Sequence, residues 1–214
     1  MNSLFILLAL SAPAFAAISY VLPGTTEQTA WNGLSNANHT PTSSTTSPWG
    51  PIASNTSATF AKVSGPSYFY SAGIYGWHTA GSVYSFVDEA PISGLSTLIL
   101  QGRFNQAPLS VTLSLNGGSQ NLGADFTATQ YFAPGGMGGG TVDDYAWQWD
   151  LSSYAGTISN YTITFSAPPS TVIYSTAPLT IDAGNTFAQV IPEPSAALLG
   201  LTALAFTGVR RRRA

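Results

Sequence analysis

The chain has 214 residues, no cysteine, 7 % charged and 12 % aromatic residues, with 21 glycines and 14 prolines. That length suits one domain with short appendages, and so many apolar and aromatic side chains exclude a disordered chain. Absent cysteine excludes a disulfide framework and a thiolate metal site. Lys62 and Arg103 are the only basic residues before position 210, so no basic stripe exists to neutralise phosphates, which excludes nucleic acid as a partner.

In chain order, Leu4 to Leu10 form an apolar stretch too short to span a bilayer. Ala14-Phe15-Ala16 then gives the small-x-small pattern that signal peptidase accepts, so residues 1–16 are expected to be a signal peptide cut after Ala16. The body is expected over 17–190. Within it, residues 35–57 are dominated by Ser, Thr, Asn and Pro and read as a long surface loop or arm. Period-2 alternation follows. Leu109, Val111, Leu113 and Leu115 share one face of a strand, and Asn116-Gly117-Gly118-Ser119 supplies the turn of a hairpin. Tyr145, Trp147, Trp149 and Leu151 alternate with polar residues, as do Tyr161, Ile163 and Phe165. Shorter runs at 68–70, 83–87, 98–104, 126–132, 172–174 and 179–182 complete the pattern. Pro134 to Gly140 is a glycine-rich connection without the Lys-Ser/Thr ending of a phosphate cradle.

No segment of the body carries a 3.6-residue apolar stripe. The expectation is an all-β fold, a β-sandwich of jelly-roll type, with a β-solenoid disfavoured because no fixed repeat occurs.

The last part, residues 191–214, has three pieces. Pro192-Glu193-Pro194 comes first, then an apolar segment 195–209, then Arg210, Arg211, Arg212 and Arg213. At 1.5 Å per residue the apolar segment covers roughly 22 Å, which arginine snorkelling and local thinning could extend toward a membrane span. Four arginines at one flank would hold that flank in the cytoplasm and the body outside. These three elements, in this order, resemble the PEP-CTERM sorting tail of diderm bacteria. The resemblance covers about the last two dozen residues. It implies a single transmembrane helix, exosortase as the processing partner, transient anchoring in the inner membrane, and delivery to the cell surface or extracellular matrix. Pro192, Glu193 and Pro194 would be the sorting motif.

Chemistry within the body is sparser. Trp147, Trp149 and Trp77 are candidate glycan contacts, since sugar-binding modules stack pyranose rings on Trp or Tyr. Sharing a face with Leu151 puts Trp147 and Trp149 nearer the core. Trp31 and Trp49 lie in loop-like surroundings. Asp143-Asp144 and Asp88-Glu89 could offer oxygens to Ca²⁺, but no ordered calcium loop is present, and no cofactor or metal site is expected. His39 and His78 stand outside any hydrolase signature, and no pair of carboxylates stands out as a glycosidase dyad. A lyase would need a basic residue beside a Tyr or His, with Lys62 and Arg103 the only candidates. No catalytic residue is therefore assigned. The function expected is a structural or adhesive surface domain; the alternative is a carbohydrate-binding module for extracellular polysaccharide, and a secreted glycan-active enzyme ranks third.

Overall fold

The computed structural model describes residues 19–40, 48–134 and 141–192, and every regular element in them is a β-strand. Two sheets face each other across one core. The six-stranded sheet runs β2 (Trp49–Ala53), β3 (Thr59–Ser64), β6 (Ser82–Asp88), β12 (Tyr161–Ala167), β8 (Ser110–Leu115) and β9 (Leu122–Gly123). Alternation dictates its faces. Tyr161, Ile163 and Phe165 are buried while Thr162, Thr164 and Ser166 are half-exposed, and in register Phe165 lies opposite Tyr84 and Ile163 opposite Phe86. Phe60, Tyr84, Phe86 and Phe165 stack along this inner face with ring centroids 4.8 to 6.5 Å apart. Phe104 from the opposite sheet meets Phe165 edge-on at 6.0 Å, which ties the two layers together.

The eight-stranded sheet is organised around β7 (Thr97–Phe104), whose residues are all buried. Along one edge β7 pairs with β11 (Thr141–Asp150), which in turn pairs with β10 (Phe126–Pro134). Its other edge is shared. β14 (Leu179–Gly184) takes Thr97 to Gln101 and carries β1 (Thr26–Trp31) beyond it. β13 (Val172–Tyr174) meets β7 only at Phe104 and leads outward to β5 (Gly73–Gly76) and β4 (Ser67–Tyr70). The chain leaves the sheet between Tyr174 and Leu179, so three short strands form a separate wing at one end. A second, small apolar cluster of Leu22, Ile99, Ala146 and Ile191 covers the outer side of β7, which explains why Leu98, Ile99 and Leu100 are apolar on both faces.

Several expectations are corrected here. Eight strands in one sheet and six in the other, with β7 branching, exceed the eight-stranded jelly roll; the all-β, two-sheet statement is what remains. No helix occurs among the described residues, and none there is long and apolar enough to cross a membrane. The flanking transmembrane helix is therefore withdrawn from the architecture. Residues 195–209, where it was expected, lie outside the described residues, as do Glu193, Pro194, Arg210 to Arg213 and the signal-peptide residues 1–16 with Ala14 and Ala16. Ile191, immediately before Pro192, is fully buried and donates its N–H to Gln148 Oε1, so the body extends to that point.

The supposed loop 35–57 contains a strand, β2, because Trp49 packs against Phe60, Phe69 and Tyr84 and draws the chain into the core edge. Trp31 ends β1 and is also core, its indole N–H donating to the Ile52 carbonyl. The expected apolar face over 109–115 is only half realised: Leu113 and Leu115 are buried, Val111 is half-buried, and Leu109 is 73 % exposed. Leu109 precedes the strand, after Pro108 has denied the ladder a donor. The turn that follows is as expected, with Asn116 and Gly117 both at positive φ (54° and 64°).

Candidate functional site

The outer face of the wing carries the candidate site. In β4 the inward residues are Ser67 and Phe69, so Tyr68 and Tyr70 point outward. In β5 Ile74 is inward and Tyr75 outward, directly opposite Tyr68. Tyr174 on β13 shares the outer face with Gly73, its partner in register, and Tyr70 lies across from the same glycine on the other side. Gly73 is held at φ 150°, and a Cβ there would come 1.9 Å from the Ile173 carbonyl oxygen, so only glycine lets the two flanking strands close up.

Trp77 follows β5 and completes the cluster. Its ring lies 5.9 Å from Tyr68, 6.3 Å from Tyr75 and 4.8 Å from His78. Tyr68 and Tyr75 meet edge-to-face at 5.6 Å, and Tyr70 and Tyr75 at 6.1 Å. All five aromatic residues are half-exposed and His78 is exposed. The presentation is fixed from behind. Trp77 N–H donates to the Pro66 carbonyl and its own carbonyl accepts from Ser170 N–H. Asn105, itself buried, donates to the Ser170 carbonyl and accepts from Val172 N–H at 2.6 Å. Ser170 adopts φ 64°, which is costly for a residue with a side chain and is sustained by these clamps. Burial, then the neighbouring Tyr174, Tyr68 and Tyr75 phenols, push Tyr70 well above its ordinary pKa, and burial with Tyr75 raises Tyr68. Both hydroxyls stay protonated throughout the physiological range; Tyr70 Oη is itself buried without a partner, so the Tyr70 contribution to the surface is its ring.

Of the three tryptophans singled out from the sequence, the structure brings only Trp77 to this cluster. Trp149 is 1 % exposed, with its indole N–H donated to the Leu122 carbonyl. Trp147 is half-buried on the inner face, stacked on Tyr145 at 5.8 Å and met edge-on by Phe104. Tyr68, Tyr70, Tyr75 and Tyr174 were missed. The signal was present as tyrosines two apart around Phe69, which is an outward aromatic row on a strand whose inward residue is already apolar.

Two clefts lie elsewhere. One of about 340 Å³ is bordered by Gln28, Asn32, Gln101, Asp144 and Thr180. Two of its polar groups are engaged with neighbours: Gln101 binds Asp182 Oδ2 and both backbone groups of Tyr20, and Asp144 takes Arg103 in a bidentate pair at 2.7 and 3.1 Å. Burial raises the Asp182 carboxyl above the usual range. The other cleft, about 360 Å³, is bordered by Leu122, Asp125, Trp149, Asp150 and Tyr154. There Asp125 accepts from Asp150 N–H and Asp150 from Ser152 N–H, so both carboxylates fix backbone.

Of the candidate calcium groups, Asp88, Asp143 and Asp144 are similarly engaged. Asp88 accepts from Ser57 and Ala90, Asp143 from Thr141 and Tyr145, and no three His, Asp or Glu converge among the described residues. His39 packs on Phe69 at 5.1 Å, and burial lowers its pKa. Lys62 does lie in register with Tyr84, the basic-plus-tyrosine pair that a lyase needs, but both side chains are 1 % exposed inside the core.

No family model, curated protein or solved structure matches the chain. The sorting-tail resemblance is thus without support from any family match. With no helix among the described residues either, the exosortase partner, inner-membrane anchoring and the sorted-precursor function are withdrawn together.

Proposed function

We propose that this chain is a non-catalytic carbohydrate-binding domain whose ligand stacks on the Tyr68–Tyr70–Tyr75–Trp77–Tyr174 platform. One observation carries the reading: five half-exposed aromatic rings crowd the outer face of three short strands that already have an apolar inner face. The outer face of an antiparallel sheet is ordinarily polar, so this apolar area is left for a ligand. Aromatic faces pack against the C–H faces of a pyranose, and phenol and indole groups at the ring edges reach its hydroxyls. Nucleobases also stack on such rings, but they bring phosphates, and the lysine and arginine side chains among the described residues are buried. The leader-like residues 1–16 fit a domain that meets its ligand outside the cytoplasm. Non-catalytic binding is favoured because Asp88, Asp125, Asp143, Asp144, Asp150 and Asp182 each accept hydrogen bonds within the fold, and Asp125 and Asp150, the pair that borders the second cleft, both hold backbone N–H groups there.

The test is titration of soluble polysaccharides into the full chain, followed by tryptophan fluorescence and calorimetry, beside Trp77→Ala. Truncating a central aromatic contact costs about 2 kcal/mol or more, so the variant should bind roughly 30-fold more weakly with unchanged circular dichroism. Equal binding by both proteins would remove the platform from the site.

A further inference from the structure

We infer that the glycan held by this platform is an uncharged, single soluble chain, and neither an acidic polysaccharide nor the face of a crystalline one. The inference rests on the platform reading and narrows it through charge and ring geometry.

Charge comes first. An acidic glycan presents carboxylates or sulfates, and recognising them takes exposed Lys or Arg, with Arg preferred for its bidentate fork. Among the described residues the lysine and arginine side chains are Lys62 and Arg103. Lys62 is 1 % exposed and donates to the Ser67 carbonyl from inside the core. Arg103 is 4 % exposed, paired with Asp144 and covered by the Phe132 ring, whose centroid is 3.3 Å from the guanidinium carbon. Neither can turn to meet an anion. The remaining ionisable surface is acidic, and a polyanion approaching it meets like charge within a Debye length of about 8 Å. The platform itself holds phenols, an indole and His78.

Ring orientation then selects the physical form. A crystalline polysaccharide face is flat and needs coplanar rings in a row. Here Tyr68 and Tyr75 are inclined at 81°, Tyr75 and Trp77 at 72°, and Tyr70 and Tyr75 at 68°. Rings at such angles share no common plane, so they cannot together lie flat on a lattice, whereas neighbouring inclined rings can touch one chain from two directions. Asn105 and the Ser170 turn hold the backbone from Ser170 to Val172 and, through Ser170 N–H, the carbonyl of Trp77, which fixes the positions from which these rings project.

The experiment is affinity electrophoresis of the full chain through gels holding hydroxyethyl cellulose, galactomannan, mixed-linkage β-glucan, polygalacturonate or dextran sulfate, with pelleting on crystalline cellulose alongside. The chain carries Arg210→Gln, Arg211→Gln, Arg212→Gln and Arg213→Gln so that its terminal cations attract no polyanion. Expected is retardation by at least one neutral soluble polymer, unchanged at about 0.5 M salt and abolished by Trp77→Ala, because dispersion contacts are not screened. Retardation by polygalacturonate or dextran sulfate alone, weakened by salt and lost in Trp77→Ala, would keep the platform and overturn the neutral assignment. Pelleting on crystalline cellulose without retardation by any soluble polymer would overturn the single-chain assignment. No retention on any polymer would overturn the platform reading, and this inference with it.

Discussion

Lys62 lies where an apolar residue belongs, and changing it to methionine gives a sharp test of the core. It occupies the inward register of β3 opposite Tyr84, beneath Trp49, whose ring centroid is 5.9 Å from Nζ. Burial lowers its pKa from 10.5 to about 8. Between those values the unfolded chain holds a proton on Lys62 that the folded protein has released, so stability rises with pH. Below about pH 8 the folded protein carries the full penalty of a buried charge; above the ordinary lysine pKa the penalty is gone. From pH 8 to 10 the gain has an upper limit of about 2 kcal/mol, and about 1 kcal/mol once water reaching the amine is allowed for. Buried tyrosines act oppositely but later. Tyr84 is pushed up to about 12, so its contribution falls only as the pH climbs beyond the ordinary phenol value of 10. Lys62→Met removes the lysine contribution and leaves the tyrosines. Urea unfolding followed by tryptophan fluorescence at pH 7, 8, 9 and 10 should show the wild type gaining on the variant by that ~1 kcal/mol, or about 2–4 °C in Tm for a chain of this size. The absolute order at pH 7 is not diagnostic, because methionine also leaves the Ser67 carbonyl without its donor. Parallel pH profiles would refute the buried placement and reopen Lys62 as an accessible base beside Tyr84.

Two further predictions concern the wing and the sheet that carries it. Gly73→Ala should weaken glycan binding as much as Trp77→Ala does and lower Tm as well, since the added methyl collides with the Ile173 carbonyl and forces β5 away from β13; calorimetry and a thermal melt read both. Asp144→Ala should destabilise by about 3–5 kcal/mol in urea unfolding by stranding the buried Arg103, whereas the double change Arg103→Met with Asp144→Leu should cost markedly less.

What was legible in the sequence follows a physical divide. β12 announced itself because one face packs on the core and the other meets water, and the second half of β11 because its aromatic face packs on the core while small and polar residues, Ala146 and Gln148, fill the covered outer face, giving strict alternation at Tyr161–Phe165 and Tyr145–Leu151. β3 was hidden by Lys62, a charged residue at a core register, and β5 by two glycines that exist to let backbones approach. β2 was concealed in a Ser/Thr/Pro-rich stretch, since its inclusion depends on a tertiary contact of Trp49 with rings from three other strands. The candidate site was legible only at Trp77. Its partners come from residues about 100 positions apart, and nothing local brings Tyr174 beside Tyr70; the shared neighbour Gly73 does that. The terminal motif, by contrast, was easy to see and misleading as a guide to architecture, because a short pattern of Pro, Glu, Ala, Leu and Arg constrains no packing in the body.

The wing also shows why a binding site belongs there rather than over β7. Along β7 both sides of the sheet are covered, the inner by the main core and the outer by Leu22, Ile99, Ala146 and Ile191, so no face is left to offer. At the wing, Phe69 and Ile74 already supply the inward contacts that hold β4 and β5 to the core, and stability makes no further demand on the outer face. Tyr68, Tyr70, Tyr75, Tyr174 and Trp77 therefore add exposed ring area without being needed to close the sandwich. Keeping it costs the chain solubility and demands the glycine, the strained Ser170 turn and the Asn105 clamp to hold the rings in place. A surface whose backbone is held by these contacts before any ligand arrives has part of its ordering entropy already met, which favours measurable affinity from weak stacking contacts.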